Sequence, residues 1–560
     1  MNFKDKVVEL IASKVDLPKE QIDSLIERPK NEKMGDYAFP AFALAKVLHQ
    51  NPAEIAQTIA SELTSSDFAS IKAAGPYVNF SINHEKLISL TLQDVLTQKE
   101  HYGDQKLGEG NVPIDMSSPN IAKPMSMGHL RSTVIGNSIA KTLQKVGYTP
   151  IKINYIGDYG TQFGKLIAAY KHWGVEADVK KDPIMNLFKY YVKFHEEAEK
   201  DPSLDDEGRA WFKKLEEGDS EAVELWQWFR DVSLTDFKRI YKQLGVEFDS
   251  YKGEAFFNDK MQPVIDELKD KGLLYESNGA QVVDIGEENP ALIVKSDGTS
   301  IYLTRDLAAA IYRMNNYHFV KMLYVVGNEQ SNHFVELKAV LKRMGYDWSD
   351  EITHVPFGLI TQNGKKLSTR KGNVVFLDQV LNDAVDLAQK QIEQKNPDLA
   401  NKEQVAHDVG VGAVIFHDLK NNRTDNFDFD LDEVVRFEGD TGPYVQYTNA
   451  RAQSVLRKAA KIGQEPSLTD LALSDDWAFS VAKTIADFPR IIARANDKFE
   501  PSIIAKYALD LAKKFNKYYA NVKILTQDEQ INARLALVEA TSIVLTEALR
   551  LLGVNAPKEM

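Results

Sequence analysis

The stretch that most constrains the fold is DMSSPNIAKPMSMGHLRSTVIGN, from Asp115 to Asn137. A short apolar run, VPIDM, enters the loop SSPNIAKPMSMG, and from Leu130 the pattern becomes helical. Ile135, Ile139, Leu143 and Val146 recur at i, i+4, i+8 and i+11, and Gly147 follows as a C′ stop. A second apolar run, Pro150 to Ile156, completes strand–loop–helix–strand. Such a unit implies a right-handed crossover in a parallel sheet. The expected fold class is therefore α/β, with a Rossmann-like parallel sheet at its centre. Gly128 and His129 stand where the loop becomes helix. A glycine there lets a ligand approach the backbone, and free helix N–H groups favour phosphate. A histidine at that point can donate to a phosphoryl oxygen. On spacing alone, an ordinary βα loop with an incidental histidine fits as well.

The 560 residues suit a multidomain protein of about three units. No apolar run approaches the ~18 residues of a membrane span, and the amphipathic start MNFKDKVVELIASKV resembles neither a signal nor a transit peptide. The expectation is a cytoplasmic protein with no membrane partner. The absence of cysteine excludes disulfides, thiolate zinc sites and cysteine nucleophiles. A net charge of −13 argues against a general polyanion binder. The charge is uneven, however: Glu196 to Glu224 holds 12 acidic and 4 basic residues, whereas Lys483 to Lys523 holds 9 basic and 4 acidic. A basic patch on an acidic protein fits selective docking of one nucleic acid.

Residues 1–105 read as a small α+β module, with helices over VVELIASKV, AEIAQTIASEL after Asn51-Pro52 and EKLISLTLQDVL capped by Asn83, and a strand over GPYVNFSI. NYIGDYGTQFGKL, at 154–166, is a glycine-rich loop expected at the carboxyl edge of the sheet, where open α/β sheets bind ligands. Residues 166–248 read as a helical insertion whose aromatics are mostly core and whose acidic stretch is solvated. ALIVK-SDGT-SIYLT is expected to be a hairpin turning at Asp297-Gly298, running into the helix RDLAAAIYRMN capped by Thr304. Tyr302 and Asp306, four apart, can face one pocket, although an acidic residue in a first helical turn is also simply good capping. MLYVVG and HVPFGLI read as further strands, and KKLSTRKGN, at 365–373, as either a surface charge run or a phosphate-gripping loop. From about 376 the pattern is helical to the end, with 376–435 a connector and 436–560 an all-helical domain. There Lys513, Lys514, Lys517 and Lys523 interleave with Phe515, Tyr518 and Tyr519. That mixture suits phosphates and stacked bases, or a core face with lysines solvating the other side.

KPMSMGHLRS followed about 240 residues later by KKLSTRKG is similar to the paired nucleotide-binding signatures of class I aminoacyl-tRNA synthetases. SSPNIAKPMSMGHLRSTVIGN, NYIGDYGTQFGKL, SIYLTRDLAAA, VVGNEQSNHF, FDLDEVVRFEGDTGPYVQYTNAR and EALRLLGV together resemble the arginyl-tRNA synthetases of the bacterial type, nearly end to end. The resemblance implies a small N-terminal domain touching tRNA, a catalytic domain over 106–375 and a helical anticodon-binding domain at the C-terminus. Two departures stand out. Where the first signature of relatives usually begins with histidine, this chain has Ser126, and the second, Lys366-Leu367-Ser368-Thr369, ends in threonine rather than lysine, with Arg370 and Lys371 just beyond.

The resemblance further implies ATP-dependent activation of arginine and transfer to its cognate tRNA. ATP is then a substrate carrying Mg²⁺, with no zinc and no metal ligands of the protein's own, in a monomer. His129, Lys366, Ser368, Arg370 and Lys371 become the expected catalytic residues. Ser126, Gly128, His129, His354, Phe357, Gly358, Lys366 and Ser368 become the expected ATP contacts. Asp115, Ser118, Asn120, Glu254, Tyr302, Asp306 and Gln330 become the expected arginine-binding set, since a guanidinium is best held by carboxylates in fork geometry. Arg451, Lys513, Lys514, Phe515, Lys517 and Tyr518 become the expected tRNA contacts. The Ser126 and Thr369 departures also admit a synthetase-like RNA-binding or regulatory protein with impaired activation. A nucleotidylyltransferase of the same superfamily is the other rival, but it has no need of RNA-binding domains at both ends.

Overall fold

The computed structural model describes residues 3–296, 301–362, 365–366 and 375–560, with 32, 362, 365 and 366 as backbone only. The chain divides into two compact units. One comprises Gly103–Ala450, Pro489–Leu509 and Thr546–Met560; the other comprises Met1–Tyr102, Arg451–Phe488 and Asp510–Leu545.

The first unit is built on four parallel strands. In chain order its main elements are β1 (Asn111–Asp115), α1 (Met127–Lys145), β2 (Thr149–Ile153), α2 (Ser220–Gln243), α3 (Tyr302–Tyr317), β3 (Met322–Gly327), α4 (Ser331–Arg343) and β4 (Ile352–Phe357). The spatial order is β4-β3-β1-β2. Asp115, the last residue of β1, is in register with Ile153 of β2 and Tyr324 of β3. The chain moves from β1 to β2 on one side and to β3 and β4 on the other, so the topological switch lies between β1 and β3, where such sheets leave a crevice for ligands. Val112, Ile114, Leu323 and Val325 are buried, as strands covered on both faces require.

Helix α1 begins three residues before the expected Leu130, because Met127 is itself buried and Ser126 takes the N-cap position. It stops where the spacing predicts, with Gly147 at φ +102°. Arg131, on its buried side, forms an ion pair of 3.2 Å with Asp418 of α5 (Lys402–Lys420). The insertion is helical as expected, over Thr161–Trp173, Glu176–Lys181, Pro183–Ala198, Ser203–Glu216 and α2, with Phe194, Trp211, Phe229 and Phe237 in its core.

Two expectations are corrected. The hairpin over ALIVK and SIYLT does not form, since Tyr302 already starts α3 and Ala291–Val294 pairs instead with Ala280–Val283. The 3.6-residue spacing of Leu303, Leu307 and Ala310 outweighs the strand propensity of Ile-Tyr. Thr304 is no cap. Its buried hydroxyl donates to the Ile293 carbonyl at 2.6 Å, tying the helix to that strand. The expected turn at Asp297-Gly298 lies outside the described residues. The segment after 376 is also not wholly helical: β5 (Ile360–Gln362) pairs with β6 (Lys365–Lys366) on one side and with β7 (Phe427–Asp428) on the other.

The second unit contains a three-stranded antiparallel sheet, in the order Tyr37–Pro40, Tyr77–Ile82, Phe68–Ala74. Its helices Pro52–Glu62 and His84–Gln98 start where the sequence places them. Asn51 Oδ1 accepts from the Ala53 N–H and Asn83 Oδ1 from the Lys86 N–H.

Candidate active site

The loop between β1 and α1 is strained and held. Ser117, Ser118 and Ala122 have φ of +78°, +46° and +59°, a region that costs non-glycine residues about 1–3 kcal/mol each. Three buried hydrogen bonds fix it. The Ser117 N–H donates to Ser132 Oγ at 2.8 Å, the Ala122 N–H donates to Ser233 Oγ at 2.9 Å, and the Ser117 and Tyr241 hydroxyls meet at 2.7 Å. Tyr241 of α2 also accepts from Asn154 Nδ2 at 2.8 Å. Tyr241→Phe leaves those partners short of a bond inside the protein. It should lower the stability of this unit by about 1–3 kcal/mol in a urea titration, and an unchanged midpoint would remove Tyr241 from the loop's support.

The start of α1 follows. The Ser126 N–H donates to His129 Nδ1 at 3.0 Å, and Ser126 Oγ lies 3.1 Å from the same nitrogen. A backbone N–H can only donate, so Nδ1 is the acceptor and the neutral ring carries its proton on Nε2. Burial pulls the His129 pKa down to about 4, so the ring is neutral at physiological pH. Gly128 is exposed, and a Cβ there would meet nothing closer than Ser126 Oγ at 3.6 Å. The helix start is thus open to a ligand, with a fixed N–H donor beside it. Ser126 also bridges to Phe376, and the Leu377 N–H donates to the Met125 carbonyl at 2.9 Å. The segment carrying the second signature is therefore bracketed by Lys366 on β6 and by this contact with the first signature. Ser368, Arg370, Lys371 and the side chain of Lys366 lie outside the described residues.

On the other wall, His354 Nε2 donates to the Val326 carbonyl at 3.0 Å and its ring stacks on Phe334 at 4.6 Å. The Phe357 ring lies 5.8 Å from the Arg131 guanidinium. The Gly358 N–H is engaged by the Arg423 carbonyl at 2.8 Å, which leaves the HVPFGLI backbone one donor fewer for a ligand.

Around the switch point the carboxylates gather. Asp306 Oδ2 lies 2.6 Å from His333 Nε2, and the Tyr302 ring, 70% exposed as a residue, stands edge-on to that histidine at 6.2 Å. Glu254 Oε2 is 4.0 Å from Arg305 Nη1. Burial pushes the Glu254 pKa up to about 7, and the neighbouring Asp306 and Asp158 charges add to the rise. Gln330 is exposed in the turn that leads from β3 into α4, and Asn120 is exposed beside Gly157. A Cβ at Gly157 would fall 2.0 Å from Asn120 Oδ1, so the glycine is what lets this side chain lie there. The structure thus brings Asp306 and Glu254 into one electrostatic neighbourhood, with Tyr302 joined to it through His333.

Asp115 and Ser118 are engaged within the chain. Asp115 is buried, with its Oδ2 2.6 Å from Arg313 Nη2, and Ser118 Oγ donates to its other oxygen at 3.2 Å. Arg313 lies between the Tyr155 and Tyr324 rings, at 5.2 and 5.4 Å. Asp115 already holds a guanidinium, the protein's own. The sequence reading missed Arg313 and His333, and both carried a signal. Arg313 is seven residues beyond Asp306, on the same face of α3. His333 is three residues beyond Gln330 at the head of α4.

The expected tRNA-contacting helix, Ser502–Asn521, is corrected in part. Phe515 and Tyr518 are fully buried and pack the core, so they offer no face for a base. Lys514 bonds Asp510 and Thr484, both at 2.8 Å. Arg451 bonds Asn516 and lies 5.1 Å over the Tyr519 ring, which is exposed. Lys513 and Lys517 occupy exposed positions.

Comparison with known proteins gives three family matches along the chain. Residues 91–431 match the catalytic domain of the class I tRNA synthetases (R), residues 1–82 the arginyl tRNA synthetase N-terminal domain, and residues 445–560 the DALR anticodon binding domain. An arginine–tRNA ligase of Lactobacillus acidophilus is 81% identical over 561 residues, and one of Lactiplantibacillus plantarum is 61% identical over 564, each covering 100% of both chains. Among solved structures, the arginyl-tRNA synthetase of Thermus thermophilus superposes with a TM-score of 0.80 at 27% identity, covering 96% of each chain. That of Plasmodium falciparum superposes at 0.81 and 24% identity over 100% of this chain and 99% of its own, a likeness of fold.

Proposed function

The chain belongs to the arginine-specific class I aminoacyl-tRNA synthetases, and from that premise we propose how its residues divide the work of an arginine–tRNA ligase. The reaction joins the arginine carboxylate to the α-phosphate of ATP with loss of pyrophosphate. The adenylate then passes arginine to the terminal ribose of the cognate tRNA with loss of AMP. Neither step needs a covalent enzyme intermediate, so positioning and charge stabilisation supply the catalysis.

The observation that carries the site reading is the cluster of Asp306, Glu254 and Tyr302 at the switch point, with His333 already bonded to Asp306. Asp306 and Glu254 take the guanidinium, Tyr302 closes over it, and Asn120 and Gln330 reach the α-amino end. Asp115 acts at one remove, by anchoring Arg313. Gly128 and the His129 Nε2–H receive the phosphates, with Ser126 setting the tautomer and His354 and Phe357 lining the nucleotide side. Lys366, Arg370 and Lys371 neutralise the phosphate charge as pyrophosphate leaves, and Ser368 donates a hydrogen bond to it. Among the described residues no three His, Asp or Glu side chains gather as a metal site. Mg²⁺ would enter with the ATP phosphates and supply Lewis-acid charge neutralisation there.

We place the tRNA-contacting modules at 1–105 and 436–560, the catalytic domain at 106–375 and a connector at 376–435. Arg451, Lys513, Lys514 and Lys517 are the proposed phosphate contacts. Replacing Lys513 and Lys517 by alanine should weaken tRNA binding and flatten its salt dependence, the slope falling by about one for each phosphate no longer neutralised. Unchanged affinity would make them a solvated face. No helix described is long and apolar enough to cross a membrane, and a cytoplasmic monomer is the proposed state. Charging of tRNA with arginine, lysine and citrulline in parallel tests the pocket. Arginine alone should be attached, because buried acceptors left unpaired reject the analogues; comparable charging with citrulline would refute a carboxylate-lined guanidinium site.

A further inference from the structure

We propose that His333 is a stand-in for the substrate: in the empty pocket its imidazolium occupies Asp306, and the incoming guanidinium displaces it. The inference rests on the arginine pocket proposed above. Its geometric basis is the 2.6 Å contact between His333 Nε2 and Asp306 Oδ2, with side chains only 15% and 19% exposed. A carboxylate this withdrawn from water, with Glu254 near enough to feel its charge, needs a counter-ion while no substrate is present. His333 sits at the head of α4, which packs beside α3, and so reaches Asp306 without belonging to its helix.

The groups that face His333 are Asp306 and Tyr302 on α3, Glu336 on its own helix and His354 on β4. Burial lowers the His333 pKa, and the bond and charge of Asp306 more than reverse this, with Glu336 adding, so the net direction is upward. The cation is therefore favoured while the ion pair exists. When arginine takes Asp306, His333 loses the partner that raised it and gives up its proton. The sign follows from linkage: a proton released on binding weakens binding as pH falls through the free-enzyme pKa, by up to tenfold per unit. Glu254, pushed up to about 7, releases a second proton in the same direction when it ionises against the guanidinium. His333 and Glu254 are separable because only one is altered by substitution at 333.

Calorimetric titration of the full chain with arginine, in buffers of different ionisation enthalpy from pH 6 to 8.5, counts the protons, with ATP as the control titrant. The wild-type protein should release protons on arginine binding at pH 6 to 7 and fewer at 8.5. His333→Gln keeps a hydrogen bond to Asp306 but has no charge to lose. It should release up to one proton fewer, bind arginine several-fold more tightly at pH 6, and show a shallower pH profile; His333→Asn should behave alike. The proposal is overturned if the wild type releases no proton, or if either variant matches it in proton count and pH profile. If Asp306→Asn leaves arginine affinity intact, the pocket itself is misassigned, a different failure.

Discussion

Replacing His129 by alanine should lower the rate of arginine activation by about 10²–10³-fold, the usual effect of removing one preorganised transition-state donor, while arginine affinity stays within a few-fold of wild type. The Ser126 N–H at 3.0 Å holds Nδ1 as an acceptor, so the ring presents Nε2–H with no choice of tautomer. The donor stands at the first turn of α1, beside the open backbone of Gly128, where the proposed site receives the α-phosphate. Burial keeps the ring neutral down to about pH 4, so this residue contributes no inflection between pH 6 and 8. Pyrophosphate-exchange rates with a parallel measurement of the arginine dissociation constant separate the two effects. Unchanged turnover would end His129's role, and a fall in arginine affinity in step with rate would move it to the other half of the site.

Asp306→Asn is expected to cost arginine binding about 2–5 kcal/mol, the range for truncating one member of a buried, hydrogen-bonded charge pair. The exchange is isosteric but removes the charge, and an amide offers one acceptor where the carboxylate offers two. Glu254 remains and ionises against the guanidinium, but its pKa, pushed up to about 7 in the empty pocket, makes that ionisation a cost on binding, and one carboxylate supplies half the acceptors that the pair does. ATP binding should persist, because the proposed nucleotide contacts lie on α1 and the β3–β4 wall. Equal loss of arginine and ATP in equilibrium binding would report misfolding, and unchanged arginine affinity would remove Asp306 from the pocket.

The sequence made the centre of this fold legible and its side-chain pairings much less so. The β1–α1–β2 unit follows from periodicity and from Gly147, and those signals act within a few residues. The stretch SIYLT misled because Ile, Tyr and Thr suit strands. The helical spacing of Leu303, Leu307 and Ala310, all buried, decides for helix over that propensity. Asp115 shows the limit at the site. Its position at the strand end is right, but its partner is Arg313, 198 residues away in sequence. Phe515 and Tyr518 show it again, for the interleaving with lysine is real and only the burial tells that these rings face inward. Ser126 is the reverse case. In sequence it is a departure from the signature of relatives, and in the structure its backbone N–H, which any residue but proline would supply there, fixes the tautomer of the histidine that remains.

The central claim is that this chain activates arginine, and only arginine, at the site joining α1 to the switch-point carboxylates. Pyrophosphate exchange with each of the amino acids, run with and without tRNA, tests it most directly. The account predicts exchange with arginine alone, and only when tRNA is present. Absence of exchange under every condition, or exchange with another amino acid at a comparable rate, would contradict it.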